Sequence, residues 1–389
     1  RIFAARILKN QTMSVEIKEV QSRRELREFV NFPEKLYRHN PYYVPPLEFD
    51  QMDTLDQKKG AAQEFCDSKL YLAYKDGKLA GRVAAIVNRL ANKQWNHKEV
   101  RFGWYDFIDD REVSKALMDK VEEFGRKYGM ESVVGPLGFT DFDPEGLLIE
   151  GFDRLSTMAL IYNYPYYVDH IEEMGFQKDA DWIEYKIDVP KALPERVARM
   201  ANIIEQRANV HVTPLTRKLI KEKDYAHKIF KIINECYKNL YNFTVLPEKM
   251  ADKYIGFYLK VLDLNYVSLV ENDKDEIVAF GITMPSIVRA LQRSRGKLFP
   301  FGWWYLAKSL FFKREEGVEM LLVGVNPEYR NSGVNTLVQL DMFKKYTEAG
   351  VKWAETNAIL ETNIKNQGQF KEFDRECKKR RRSYIKPLD

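Results

Sequence analysis

Val318-Glu319-Met320-Leu321-Leu322-Val323-Gly324-Val325-Asn326-Pro327-Glu328-Tyr329-Arg330-Asn331-Ser332-Gly333-Val334-Asn335 is an apolar strand that runs into a polar turn carrying one glycine. Leu337, Leu340, Met342, Phe343 and Tyr346 then recur at roughly helical spacing, so a helix follows the turn and runs to about Glu348. A turn of this kind leaves backbone N–H groups unpaired at a helix N-terminus, where the helix dipole also favours negative charge. The stretch is therefore a ready seat for a phosphate or pyrophosphate.

At 389 residues the chain is long for one core, and two domains are expected. A hydrophobic fraction of 45% with 31% charged residues is ordinary for a globular protein. The net charge of +5 equals the contribution of Lys378-Lys379-Arg380-Arg381-Arg382, so the rest of the chain is balanced. A nucleic-acid binder usually spreads basic residues over a face, so no specific nucleic-acid partner is expected. The basic run reads first as a solvated edge strand with protective charge, and secondly as a contact for a phosphate. Cys66, Cys236 and Cys377 are far apart and odd in number, and five histidines are scattered, so neither a disulfide framework nor a metal site is expected. A reducing cytoplasm fits this cysteine usage. No apolar run approaches the ~20 residues of a membrane span. Residues before Met13 are basic but lack the apolar core of a signal peptide, and Met13 is a candidate start.

Working outward, Glu16–Val20 reads as a first strand and Ser22–Val30 as a helix. Tyr37 to Pro46 is an aromatic, proline-rich loop that either packs on the surface or walls a pocket. Leu70–Tyr74 and Leu79–Asn88 alternate around Asp76-Gly77, a hairpin signal. Val100–Ile108 is a strand, Ser114–Tyr128 a helix ending at Gly129, and Ser132–Gly135 a strand. The second half repeats this order. Tyr266–Val270 and Ile277–Thr283 form the hairpin, Met320–Val325 the strand, the long helix stops at Gly350, and Val351–Ala354 follows as a strand. The chain thus divides into a first unit at 13–190, a helical connector at 191–209, and a second unit at 210–389. The fold class is α/β with two mixed-sheet units. The second unit alone carries an insertion, Pro285–Glu316, rich in aromatics from Leu298 to Phe312. It reads first as a helix covering the core, with an acyl-pocket wall or a membrane-surface helix as alternatives.

Arg330-Asn331-Ser332-Gly333-Val334-Asn335, set between strand and helix, resembles the coenzyme A loop of the GNAT acyltransferase superfamily, Gln/Arg-x-x-Gly-x-Gly/Ala. The resemblance extends through Glu319, Val351–Ala354 and Asn357 or Asn363, about 180 residues, and the first half resembles a second, degenerate GNAT unit. It implies acyl-CoA, most simply acetyl-CoA, as co-substrate with no metal, and an amine on a small molecule as acceptor. It implies coenzyme A contacts at Val323, Val325, Arg330, Asn331, Ser332, Gly333, Val334, Asn335 and Asn363, and Glu319 as candidate general base. Two departures stand out. Asn335 occupies the position of the loop's final glycine or alanine, and Phe370 or Phe373 stands where the superfamily often has a tyrosine acid. The first half's equivalent turn, Phe107 to Val113, has three carboxylates and no glycine, so coenzyme A is assigned to the second unit. The turn-rich Gly135–Gly146 and the Tyr162–Tyr167 segment sit where such a unit presents its active end. Asp141, Glu145, Asn163 and Tyr166 are the acceptor candidates for a cationic amine. The competing readings are a Fem-like transfer from aminoacyl-tRNA and a non-catalytic acyl-CoA sensor.

Overall fold

The computed structural model describes residues 15–193, 195–312, 315–371 and 373–388. The basic stretch before Met13 lies outside them. The first half supplies strands β1 (Glu16–Glu19), β2 (Cys66–Lys75), β3 (Lys78–Asn88), β4 (Glu99–Phe107), β5 (Ser132–Gly135), β6 (Leu147–Glu150) and β7 (Gln177–Asp188). The second supplies β8 (Val210–Val212), β9 (Val267–Asn272), β10 (Ile277–Pro285), β11 (Gly317–Val325), β12 (Trp353–Thr356), β13 (Ile359–Leu360) and β14 (Arg375–Pro387). The long helices are α1 (Arg23–Leu36), α2 (Arg111–Lys127), α3 (Glu195–Ala208), α4 (Tyr225–Tyr237), α5 (Glu248–Val261) and α6 (Val334–Glu348).

The expected repeat is present. The β2–β3 hairpin, β4, α2 and β5 recur as the β9–β10 hairpin, β11, α6 and β12, each helix laid on its own hairpin. Asp76 and Gly77 both take positive φ, as a two-residue hairpin turn demands. Ser22 caps α1 in a full capping box, and the helix runs on past Val30 to Leu36 because Phe29, Val30 and Phe32 are buried along it. The strand expected at Val351–Ala354 lies slightly later, at Trp353–Thr356.

One sheet joins everything, in the order β1-β2-β3-β4-β5-β14-β7-β12-β11-β10-β9-β8. Each half's last strand has crossed over. β14 lies beside β5 of the first half, β7 lies beside β12 of the second, and the two pair antiparallel along their length. This corrects the expectation of a solvated edge at Lys378–Arg382: the run is in the middle of the sheet. Lys379 reaches Glu184 at 3.0 Å and Glu355 at 2.6 Å, and Arg381 reaches Glu184 at 2.6 Å. Arg380 and Arg382 share Asp181, and Lys378 pairs with Glu376. All five charges have carboxylate partners, four of them on β7, β12 or their neighbours.

The insertion also departs from a plain cover. Leu291 and Leu306 turn inward onto Val44. Phe299, Phe301, Trp303, Trp304, Phe311 and Phe312 stand exposed.

Candidate active site

Two strands part at the centre of the second unit. β11 pairs with β10 from Val318 to Val325, but with β12 only from Gly317 to Met320. A bulge at Leu321, where the β10 register shifts between Ile282 and Thr283, starts the divergence. Asn357 marks the fork: its N–H donates to Met320 O at 3.0 Å and its side-chain amide reaches Leu321 O at 3.4 Å. Beyond it the free edge of β11 meets α4. The Tyr237 hydroxyl donates to Val323 O at 2.7 Å and accepts from Val323 N–H at 3.4 Å, and the Cys236 thiol donates to Val325 O at 3.0 Å.

The turn after β11 keeps its donors open. Asn331 and Gly333 take φ of 73° and 89°, the left-handed region where glycine is at ease. Gly333 is the N-cap of α6 and no side chain caps the helix. The amides of Asn331, Gly333, Asn335 and Thr336 have no protein partner among the described residues. Among the described residues the Asn335 side chain has no hydrogen-bond partner that would close the niche. Ile204 of α3 packs beside it, 3.2 Å from where a Cβ on Gly333 would sit. Exposed Arg330 lies next to Cys236, whose thiol is raised by burial and lowered in part by that cation.

In the first unit both features are closed. Asp110 accepts from the Glu112 and Val113 amides and so occupies the N-terminus of α2 itself. β4 and β5 also part after Arg101, but the gap holds the first unit's own chain: Leu137 N–H donates to Phe102 O, and a Cβ on Gly103 would come within 2.5 Å of Leu137 O.

Where β11 and β12 part, a cavity of about 190 Å³ opens between the sheet and α4 and α5. Leu321, Leu322 and Asn357 form its floor, and Phe230, Tyr254 and Leu262 are among the residues facing them. Phe142 and Tyr254 stack with ring centres 4.7 Å apart. The far end comes from the first half, where Asp141, Asp143 and Glu145 line it. All three residues are half-buried. Burial raises all three. Asp141 rises to about 7 although it accepts the Thr244 N–H at 2.9 Å. Asp143 rises to about 6 while accepting from Thr140 N–H. Glu145 is pushed well up by burial and then by the Asp141 charge, and has no hydrogen-bond partner among the described residues.

Of the four acceptor candidates, Asp141 and Glu145 thus come together. Asn163 is buried elsewhere, exchanging hydrogen bonds with the Leu148 peptide, and the Tyr166 hydroxyl donates to Phe107 O in the first unit's core. Glu319 lies at the root of the parting strands but off the cavity wall. One of its oxygens accepts the Met158 N–H at 2.8 Å, the other the Ser286 hydroxyl at 3.3 Å. Burial raises its carboxyl to about 8, with Glu355 on the adjacent strand adding to the rise. Asn363 caps the short helix Ile364–Gly368 by accepting the Asn366 N–H. Phe370 is buried and Phe373 stacks on Phe343, so neither faces the cavity wall. Tyr237 escaped the sequence reading, because nothing near it in the chain signals a strand edge more than eighty residues later.

No family model matches the chain. Protein YghO of Escherichia coli K12 is 26% identical over 381 residues, 94% of each chain. A bacterial ceramide synthase of Caulobacter vibrioides is 24% identical over 349 residues, 88% of this chain and 90% of that one. Among solved structures, a tandem GNAT protein from the clavulanic acid biosynthesis pathway, without acetyl-CoA, superposes with a TM-score of 0.55 at 13% identity, covering 97% of this chain and 99% of that one. With the duplicated hairpin–strand–helix–strand order, the fold is a tandem GNAT fold.

Proposed function

We propose that the chain is an acyl-CoA-dependent N-acyltransferase whose acceptor is an amine at the head of an apolar chain. The observation that carries this is the parting of β11 from β12 into an apolar cavity with carboxyls at one end. The unpaired amides of Asn331, Gly333, Asn335 and Thr336 fit a pyrophosphate. The edge of β11 at Val323 and Val325 has no partner strand and is held by the Tyr237 hydroxyl and the Cys236 thiol, side chains that the amide-bearing arm of a coenzyme A thioester would have to displace to pair there. Bound acyl-CoA supplies the activated acyl group. One relative is named a ceramide synthase, and a ceramide is the fatty amide of a long-chain amino alcohol. An apolar cavity with acidic groups suits such an acceptor better than a small polar amine.

The roles follow from access. Asp141 and Glu145 hold the ammonium head, and an Asp141 carboxyl raised to about 7 is matched to taking its proton near neutral pH. Glu319, with both oxygens engaged, positions the Met158 segment against β11. Tyr237, at the edge where the thioester would lie, is the candidate proton donor to the leaving thiolate. Holding both reactants at the fork supplies proximity.

The test is purified protein with acetyl-CoA or a long-chain acyl-CoA and either a long-chain 2-amino-1,3-diol or a short polar amine. Thiol release and the amide product are measured. Transfer to the long-chain amine is expected. Acyl-CoA binding by calorimetry with no transfer to either amine would make the chain a sensor, and no binding at all would remove the acyltransferase reading.

A further inference from the structure

The second unit's insertion exposes large aromatics from Phe299 to Phe312. Phe299, Phe301, Phe311 and Phe312 are 79%, 69%, 70% and 75% exposed, and Trp303 and Trp304 about half. The two tryptophan rings lie 6.0 Å apart and Trp304 lies 6.1 Å from Phe312, so these three rings are contiguous. The segment is held in place from behind: Leu306 is buried in a cluster with Leu291 and Val44, and Leu310 packs against the cluster of Leu262, Val267 and Met284. Its outer face is thus presented by an anchored scaffold and is not a loose tail.

Large apolar patches of this kind mark an interaction surface, and the surrounding charge selects the partner. From Ser286 to Arg314 the sequence has seven Lys or Arg and no Asp or Glu. Arg289, Arg293, Arg295, Lys297 and Lys308 are exposed; Arg295 and Lys297 also lie near Glu34 and Glu48. Tryptophan and phenylalanine on one face, with lysine and arginine around it and no acid between, is the chemistry of an anionic lipid headgroup region over hydrocarbon. No helix among the described residues is long and apolar enough to cross a membrane, so the contact is interfacial. We propose that Phe299–Phe312 docks the protein on an anionic bilayer surface. Docking stands on the patch itself and not on the acyltransferase reading.

The test uses the full chain with vesicles of phosphatidylcholine alone and of phosphatidylcholine mixed with phosphatidylglycerol. Co-sedimentation with the mixed vesicles, weakened by salt, is expected, together with a blue shift of tryptophan emission. Trp303 and Trp304 are the exposed tryptophans, so the shift reports the patch. A Trp303→Ser, Phe311→Ser, Phe312→Ser variant should keep its far-ultraviolet spectrum and melting temperature and lose about tenfold or more in vesicle binding. No co-sedimentation with the mixed vesicles overturns the proposal, as does binding that the variant retains. A lipid-free dimer abolished by the variant also overturns it, by giving the patch to a second copy. Vesicle binding is read without turnover, and transfer to the long-chain amine dispersed in detergent without vesicles should be unchanged in the variant, so docking and catalysis fail separately.

Discussion

Glu319→Gln separates a buried anchor from a general base. The native carboxyl sits at about 8 in place of an ordinary 4.5. Between those values the native state keeps a proton that the unfolded chain has released. Stability from this group is therefore full below about pH 4.5 and declines as pH rises through about 8. At ~1.36 kcal/mol per unit the displacement has an upper bound of about 5 kcal/mol. Relaxation and water penetration around buried charge reduce such figures, so about 2–3 kcal/mol is the working value. Glutamine cannot titrate, yet its carbonyl can still accept the Met158 N–H. The wild-type-minus-variant difference in unfolding free energy should shift by that amount between about pH 5 and about pH 8.5, in the direction of a relatively stabler variant at high pH. Urea titrations followed by circular dichroism at the two pH values measure it, and the double difference cancels the titrating groups that do not interact with Glu319. A difference constant within about 0.5 kcal/mol would refute the buried, displaced carboxyl. The same variant should retain most transfer activity at neutral pH. A folded Glu319→Gln protein with no transfer would instead make Glu319 the base and remove that role from Asp141 and Glu145.

Other substitutions probe the site and the sheet. Asp141→Asn should cut kcat/KM by about a hundredfold or more and remove the rise in kcat/KM that the wild type shows with increasing pH through about 7; a pH–rate profile decides. Tyr237→Phe should lower kcat about 10- to 100-fold with the acyl-CoA dissociation constant nearly unchanged, which single-turnover kinetics and calorimetry separate. Gly333→Val should weaken acyl-CoA binding and destabilise the chain by about 1–3 kcal/mol, since a branched residue is strained at φ 89° and its Cβ crowds Ile204. Glu184→Leu should cost about 3–5 kcal/mol of unfolding free energy, because Lys379 and Arg381 lose a shared buried carboxylate.

Short-range features were legible because their causes are short-range. Asp76-Gly77 takes a turn that few other pairs accommodate, and the strand, glycine turn and helix around Gly333 lie within thirty residues. So did the closing of the first copy's seat, where Asp110 accepts from amides only two and three residues on. Lys378–Arg382 was misread for the complementary reason. Five successive cations look solvated unless their partners are known, and Glu184 and Asp181 lie nearly two hundred residues earlier. Asn163 and Tyr166 looked like acceptor ligands by proximity in sequence to the active end, but side-chain direction took them into hydrogen bonds with Leu148 and Phe107.

The amino-acid sequence by itself determined the duplicated unit, its hairpins, and an open helix terminus in the second copy alone, since periodicity, turn chemistry and local charge act over one or two turns of chain. Only the tertiary structure decided that the last strands change places, that Asp141 and Glu145 face a cavity floored by Leu321, and that the insertion's aromatics stay outside. Each of those depends on which distant surfaces bury one another, and pairing across the sheet leaves no period in either partner.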